Sequence, residues 1–180
     1  MNYVIVDLEA TCWEGRDGSK NETIEIGAVL VNAQKQILSE FEQFVKPLMN
    51  PTLSDFCKNL TSITQAQVDA APYFYEAVES FKKWITQHGA AYTLCSWGFY
   101  DKKQFEQDCR LHGLETDWLK HHISLKHQHA QIRGLQRTVG MKSALAMEKL
   151  LLAGTHHRGI DDARNITKIF LKYFDDWKRG

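Results

Sequence analysis

The first 45 residues contain three segments with the patterns of β-strands. Apolar and polar positions alternate over residues 3–9, and residues 23–32 and 37–45 form two further β-rich segments, with short polar turns between the segments. Together the three segments predict a three-stranded meander.

After residue 45 the pattern changes to helical spacing. Pro47 and Pro51 interrupt the strands, and residues 54–71 predict short helical pieces that end near Asp69 and Pro72. Further along, apolar residues recur every three or four positions. They predict a helix with one buried face against the sheet: Phe74, Ala77, Val78, Phe81, Trp84 and Ile85.

The second half of the chain mixes short strands with helices. Residues 92–96 and 121–125 predict strands, while residues 102–112, 126–139 and 143–152 predict helices. A long terminal amphipathic helix is predicted by the spacing of Ile160, Ala163, Ile166, Phe170, Phe174 and Trp177. Early strands followed by alternating helices and strands indicate an α/β fold.

Length and charge limit the possibilities further. A chain of 180 residues with 43% hydrophobic residues can bury one full core, so we expect a single domain over residues 1–180. Lys plus Arg and Asp plus Glu both number 22. The overall charge therefore neither requires nor excludes a polyanionic partner, and any argument for nucleic acid must rest on local charge.

The cysteines and the N-terminal segment bear on the cellular environment. No CxxC pair occurs among the four cysteines, which disfavours a zinc module or a disulfide framework and favours reduced thiols: Cys12, Cys57, Cys95 and Cys109. The chain begins directly with a short apolar strand, without a basic leader or a long apolar stretch. We therefore expect a soluble, cytoplasmic protein that does not enter a membrane.

Two acidic residues end the first predicted strand. The period of two places Asp7 and Glu9 on the same face of that strand, after the core residues Val4, Ile5 and Val6. Each carboxylate disfavours ionisation of the other, so the pair makes physical sense chiefly if a cation lies between them. The alternative is a frayed strand end with two solvated acids.

Other candidate residues also have ordinary structural explanations. Asp101 precedes a predicted helix and would serve there as an N-cap. Asp161 and Asp162 open the terminal helix, where acids favourably complement the helix dipole. His157 lies five residues before Asp162 in a loop, where most histidines are merely solvated.

The order of these features along the chain is more informative than any one of them. It resembles the DEDDh 3′→5′ exonucleases, the DnaQ-like branch of the RNase H-like superfamily. The resemblance covers residues 3–173. Several segments look like the subfamily of KapD-like sporulation inhibitors and histone-mRNA and small-RNA 3′ exonucleases: DLEATCW, IEIGAVLV, FVKP, LSDFCKNLTSITQAQVDAA, SWGFYDKKQF and HRGIDDARNI.

The resemblance implies an RNase H-like fold, in which helices flank a mixed central sheet that contains the meander. It also implies two Mg²⁺ or Mn²⁺ ions, which suit oxygen ligands. Asp7 would bridge both ions, Glu9 and Asp162 would hold the ion on the nucleophile side, and Asp101 would hold the second ion largely through water. The expected products are nucleoside 5′-monophosphates, released from the free 3′-hydroxyl end of a single strand, with RNA preferred.

The resemblance further assigns a general base and substrate contacts. His157 would accept the proton of the attacking water, because it has the family's spacing to the aspartate that follows, whereas its neighbour His156 does not. Ala10 and Thr11 would touch the terminal nucleotide. Trp97 and Phe99 are further candidates for substrate binding, although Phe99 replaces a polar residue of many relatives and so alters this part of the pocket.

A basic stretch without acids offers a path for the nucleic acid. No Asp or Glu occurs between Trp118 and Met147, but nine basic residues or histidines do: Lys120, His121, His122, Lys126, His127, His129, Arg133, Arg137 and Lys142. We expect a track for backbone phosphates, with Arg133 and Arg137 four residues apart on one helical face. A solvated basic face and a metal site that uses His127 and His129 are the alternatives.

Two other functions compete with an exoribonuclease. The acids do not recognise a 2′-hydroxyl, so a DNA-directed exonuclease in proofreading or repair is compatible with the same residues. A non-catalytic RNA-binding or regulatory module is the second alternative, and the complete set of acids with His157 argues against it. We expect a monomer whose natural substrate is selected by the catalytic domain itself or by a protein partner.

Overall fold

A five-stranded mixed sheet forms the centre of the computed structural model, which describes residues 1–15 and 20–178. Its strands are β1 (Asn2–Ala10), β2 (Thr23–Asn32), β3 (Ile37–Phe44), β4 (Tyr92–Ser96) and β5 (His122–Ser124). They lie in the order β3-β2-β1-β4-β5. β1, β2 and β3 form the predicted antiparallel meander, while β4 pairs parallel with both β1 and β5.

Seven α-helices accompany the sheet in the described ranges. They are α1 (Asp55–Thr61), α2 (Gln65–Asp69), α3 (Phe74–Thr86), α4 (Tyr100–Leu111), α5 (Leu125–Ile132), α6 (Met141–Met147) and α7 (Gly159–Lys172), with a 3₁₀ turn at Asp117–Leu119. The α/β class expected from the sequence is confirmed. None of the helices in the described residues is long and apolar enough to span a bilayer.

Alternate residues of β1 face two separate cores. Tyr3 and Ile5 pack with α6 and α7 on one face of the sheet. Val4 and Val6 pack with α3 and α4 on the other face. Because successive strand side chains point to opposite faces, the polar residues at positions 7 and 9 are directed toward the α7 side.

Two helices end earlier than the sequence predicts. The helix expected over residues 126–139 stops at Ile132, because Gly134 adopts a left-handed φ of 63° and the amide of Leu135 donates to the carbonyl of Ala130. The helix expected over residues 143–152 is α6, which gives way to a left-handed Lys149 with φ 57°. Glycine is the usual residue in the left-handed conformation that ends a helix, and lysine is not. The end of α5 could therefore have been predicted from the sequence, but the end of α6 could not.

The boundaries of α4 and α7 also differ from the prediction. α4 begins at Tyr100 with Phe99 as its N-cap, so Asp101 lies inside the first turn and is not the cap. α7 ends at Lys172, and the chain continues in turns through Trp177. The indole of Trp177 nevertheless donates to the carbonyl of Phe170 at 2.9 Å, which keeps its ring in the core next to α7.

Candidate active site

A cleft of about 420 Å³ opens where β1 ends and the chain leaves β4. The last residues of β1, the first turns of α4 and α6, and the loop before α7 all contribute to its walls. All four predicted acids and both histidines of the HH pair line it: Asp7, Glu9, Asp101, His156, His157 and Asp162. The structure therefore brings together residues that are up to 155 positions apart in the chain.

Three of the acids form a close cluster. Carboxylate oxygens of Asp7, Glu9 and Asp162 lie within 4.8 Å of one another. Asp7 and Glu9 come from β1, and Asp162 comes from the first turn of α7, which crosses the same face of the sheet. The geometry is that of an oxygen-ligand site for a hard cation.

Asp101 is held beside this cluster by the backbone of β1. Its Oδ1 accepts a hydrogen bond from the amide of Leu8 at 3.0 Å, although the two residues are 93 positions apart. The pairing of β1 with β4 ends at Ile5 and Cys95, so the amide of Leu8 lies beyond that ladder and is available to the carboxylate. This bond fixes the start of α4 against the acidic pair.

The acids are costly to ionise without a cation. Burial, followed by the charges of Asp101 and Glu9, raises the pKa of Asp7 well above its ordinary value. Burial, followed by the charges of Asp162 and Glu25, raises the pKa of Glu9 to about 8. Burial also raises the pKa of Asp101 to about 6, even though the hydrogen bond from the backbone opposes the shift.

No lysine or arginine neutralises the acids within the described ranges. Among the ion pairs of the described residues, a single one involves any of the four acids, and it joins His156 to Asp162. Uncompensated buried carboxylates are expected where a metal supplies the positive charge. The residues present therefore fit divalent cations, and among the described residues no group of three potential ligands that includes a cysteine lies close enough to hold a metal.

The two adjacent histidines have different contacts. Nδ1 of His156 lies 2.9 Å from Oδ2 of Asp162, whereas His157 reaches the same oxygen through its backbone amide at 3.0 Å. Their rings stack with centroids 4.0 Å apart. His157 has a left-handed φ of 67°, and burial with the neighbouring His156 lowers its pKa. Both rings thus lie at the cleft, with His156 directly on a carboxylate and His157 on the neighbouring wall.

A buried ion pair, which the sequence analysis did not anticipate, anchors the loop that carries these histidines. Glu25 is fully buried on β2, where it pairs in register with Glu9 of β1. It accepts hydrogen bonds from Nε of Arg158 at 3.1 Å and from the amide of Gly159 at 3.0 Å. Arg158 also donates to Glu42 at 2.8 Å. A glutamate inside the otherwise apolar IEIGAVLV segment was the only signal for this role.

The start of α7 touches the sheet backbone directly. A Cβ atom on Gly27 would overlap the carbonyl carbon of Gly159, and one on Gly159 would lie 3.0 Å from the carbonyl oxygen of Asp7. Only glycine permits so close an approach at position 27. This contact brings Asp162 within reach of the acids of β1.

The predicted substrate contacts fall into two groups. Ala10 and Thr11 are buried, and the hydroxyl of Thr11 accepts a hydrogen bond from the amide of Glu22 at 2.9 Å. Trp97 lines the cleft, with its indole donating to the carbonyl of Val139 at 3.0 Å. Phe99 packs instead beside His127, with ring centroids 4.9 Å apart.

The aromatic side chain that continues the cleft wall next to Asp101 is Tyr100. It is 53% exposed. Sequence reasoning missed this residue, because the direction of a side chain at the start of a helix cannot be assigned until the helix boundary is known.

The basic stretch is not arranged as predicted. Arg133 is the C-cap of α5 and Arg137 lies in the following bend, so the two do not share a helical face. Nε of Arg133 lies 3.3 Å from the buried carboxylate of Glu148. The basic residues that line the cleft are Lys126 and Lys142, which stand on opposite sides of this bend in the sequence.

The alternative metal site at His127 and His129 does not form in the described structure. His129 is buried, and its Nε2 lies 2.9 Å from Oε1 of Glu148. Nδ1 of His127 lies 2.6 Å from the hydroxyl of Ser124. Each histidine therefore has its own protein partner.

Sequence and structure comparisons place this site in a known family. The profile of the family described as Exonuclease (RNase T) matches residues 4–170. The chain belongs to this exonuclease family. It resembles the nuclease domain of 3′hExo, a DEDDh family member whose structure was determined bound to rAMP. The TM-score is 0.92 at 31% identity, covering 97% of this chain and 92% of that one.

Curated relatives of this exonuclease-family chain have consistent descriptions. It is 32% identical to the 3′-5′ exonuclease eri1 of Schizosaccharomyces pombe, over 94% of this chain and 66% of the relative. It is 34% identical to 3′-5′ exoribonuclease 1 of Mus musculus, over 96% of this chain and 52% of the relative. The chain thus spans about half to two thirds of the length of these relatives. The expected DEDDh family and RNase H-like fold are confirmed.

Proposed function

We propose that this protein is a metal-dependent 3′→5′ exonuclease that releases nucleoside 5′-monophosphates from single-stranded RNA. The observation that carries the proposal is the convergence of Asp7, Glu9 and Asp162 within 4.8 Å, with Asp101 in the same cleft. A structural role for these acids is disfavoured, because their mutual repulsion and burial raise their pKa values and oppose folding in the ionised state.

The four acids would hold two divalent cations, and Mg²⁺ or Mn²⁺ suits an all-oxygen set of ligands. Besides burial, the charges of Asp101, Glu9 and Asp162 each raise the pKa of Asp7, so Asp7 lies close to all three of the other acids. That central place would let Asp7 serve as a ligand to both ions. When bound, the ions supply an activated water and stabilise the departing 3′ oxygen.

The chain's own groups complete the reaction. The oxygen of water forms a bond to the phosphorus of the last phosphodiester, the bond from phosphorus to the 3′ oxygen of the preceding nucleotide breaks, and that oxygen takes up a proton from solvent to become the new 3′-hydroxyl. His157 lines the cleft and is the group that accepts the proton of the water. Its lowered pKa keeps the imidazole neutral and able to accept a proton near pH 7.

Binding of the terminal nucleotide is supported by an aromatic and a basic wall. Tyr100 presents a half-exposed ring to the cleft, and such a ring can stack on a base of any sequence. Lys126 and Lys142 contribute positive charge near the acids, where they can contact phosphate oxygens. The preference for RNA is supported by the relatives that are described as exoribonucleases.

The test is a time course on end-labelled single-stranded RNA and on matched single-stranded DNA, with Mg²⁺, with Mn²⁺ and with chelator. We expect stepwise shortening from the 3′ end only with metal, and faster on RNA. Equal or faster cleavage of DNA would identify a DNA-directed exonuclease. Absence of metal-dependent turnover on every oligomer with a free 3′-hydroxyl would indicate a non-catalytic module.

Replacement of a single ligand separates catalysis from folding. Asp7→Ala should abolish turnover and leave the metal-free protein at least as stable as the wild type, because it removes a carboxylate that its neighbours destabilise. Thermal unfolding with chelator measures the stability. A large loss of stability in the metal-free variant would show that Asp7 is structural, and the argument for the metal site would fail with it.

A further inference from the structure

A second concave surface adjoins the active-site cleft on the far side of α6. It encloses about 460 Å³ between α6 and the loop that leads from α6 to the histidines. We call it the leucine shelf and define it by Lys142, Leu145, Lys149, Leu150, Leu151 and Leu152. Lys142 lines both the shelf and the cleft, so the two surfaces meet at this side chain.

The shelf is apolar and open to solvent. Leu151 is 86% exposed and Leu152 is 37% exposed. Single exposed leucines are common, but neighbouring ones on a concave surface are typical of binding sites. The loop is held in place rather than loose at this point, because Nζ of Lys168 on α7 donates to the carbonyl of Leu151 at 2.8 Å.

The charge at the shelf is positive and uncompensated. Lys142 and Lys149 form no ion pair within the described part of the chain. The nearby acid Glu148 is buried and already bound to other groups. Burial opposes its ionisation, but hydrogen bonds from Lys172, Tyr173 and His129 outweigh burial and lower its pKa to about 2.

We propose that the leucine shelf binds the nucleotides that lie upstream of the two 3′-terminal ones in a single-stranded substrate. Lys142 and Lys149 contact backbone phosphates, and the exposed leucines cover the apolar faces of the bases or riboses. The inference rests on the proposed exonuclease function. A strand whose last nucleotide occupies the cleft must cross its rim, and Lys142 is the rim residue shared with the shelf.

Charge complementarity favours this occupant over a protein segment. The shelf is lined by apolar side chains and two lysines and by no acidic residue, so it offers positive charge to a phosphate backbone. An apolar protein segment would match the leucines and leave both ammonium groups without a partner.

The test compares long and short substrates in a double variant, Lys149→Ala with Leu151→Ala. Neither residue lines the cleft, so the chemical step is left intact. With a 15-nucleotide RNA, we expect KM to rise about tenfold at unchanged kcat. The slope of log Kd against log salt should flatten by about 0.7, because the variant can no longer bind the phosphate that Lys149 reaches. With a dinucleotide that cannot reach the shelf, both constants should match the wild type.

A matched control lies on the opposite face of the sheet. Lys83→Ala with Leu111→Ala removes an exposed lysine and an exposed leucine from α3 and α4, and should change neither constant on either substrate. Circular dichroism verifies that both double variants fold. Unchanged kinetics on the long RNA in the shelf variant, or an equal defect on both substrates, would overturn the proposal. Failure of the wild type to cleave either RNA would instead refute the exonuclease function, so the two failures are distinguishable.

Discussion

His156 and His157 stack on each other at the cleft, and only His157 has the spacing to Asp162 that the resemblance to the DEDDh exonucleases implies for the proton acceptor. We expect His157→Ala to lower kcat by about 10² to 10⁴ with little change in KM, as for the loss of a general base. His156→Ala should have a much smaller effect. Single-turnover measurements at saturating RNA compare the two variants. If His156→Ala lowered kcat more than His157→Ala, the general base would be His156, which contacts the carboxylate of Asp162.

Glu9 gives the metal-free protein a defined dependence of stability on pH. The pKa of Glu9 rises from an ordinary value of 4.5 to about 8 on folding. The stability that its protonated side chain contributes to the folded state is therefore fully present below about pH 4.5 and is lost as the pH rises through about 8. We expect the free energy of unfolding of the metal-free protein to fall by a few kcal/mol over this window relative to Glu9→Gln.

Denaturant unfolding of the wild type and of Glu9→Gln at several pH values, with chelator, measures the difference. Added Mg²⁺ or Mn²⁺ should remove it at high pH, because the cation stabilises the ionised carboxylate. Parallel pH profiles of the two proteins would contradict the shifted pKa of Glu9. The comparison between variants cancels groups that do not interact with Glu9, such as His122, whose pKa burial lowers to about 4.

The first turn of α7 depends on an anchor that lies on two other elements. Glu25 of β2 and Glu42 of β3 hold Arg158, which joins the histidine loop to the helix. Arg158→Met would leave the fully buried Glu25 without its cation. We expect a decrease of about 3 kcal/mol in stability, since breaking a buried pair costs about 3–5 kcal/mol. Turnover should fall as well, because the loop is no longer held in position.

A double variant separates the ion pair from the rest of the anchor. Arg158→Met combined with Glu25→Gln removes both charges, so stability should recover in part. Thermal denaturation measures it, with Arg164→Met as a control for an exposed arginine of α7 that pairs with Glu40. Equal destabilisation by the single and double variants would show that the buried charge is not the cause.

Among the helices and strands, existence was easier to predict than boundaries. The strands near residues 23–32, 37–45 and 92–96 were placed almost to the residue, because each is a short run of strand-forming residues bounded by turn residues or prolines. The end of α6 was misplaced by five residues, since the chain turns at Lys149 and a lysine gives no local signal for a left-handed conformation.

The packing of the complete chain selects which basic residues face the substrate. Lys126 lines the cleft and is not ion-paired within the described residues, whereas Arg133 is directed to the buried Glu148. We expect Lys126→Ala to flatten the salt dependence of RNA binding by about 0.7 in slope, and Arg137→Ala to leave it nearly unchanged. Fluorescence anisotropy at several salt concentrations measures both. A larger effect of Arg137→Ala would restore the track first predicted through Arg133 and Arg137 in the acid-free stretch between Trp118 and Met147.

Local patterns in the chain were enough to predict the α/β class and the meander, because strand and helix periodicity are local properties. The five candidate catalytic side chains were named only by the resemblance of the whole chain to the DEDDh exonucleases. The folded chain was needed to show the proximity of Asp7 to Asp162, the burial of Glu25 under α7 and the diversion of Arg133 to Glu148. Such contacts join residues far apart in the chain, and they depend on how α7 crosses the sheet, which no local pattern encodes.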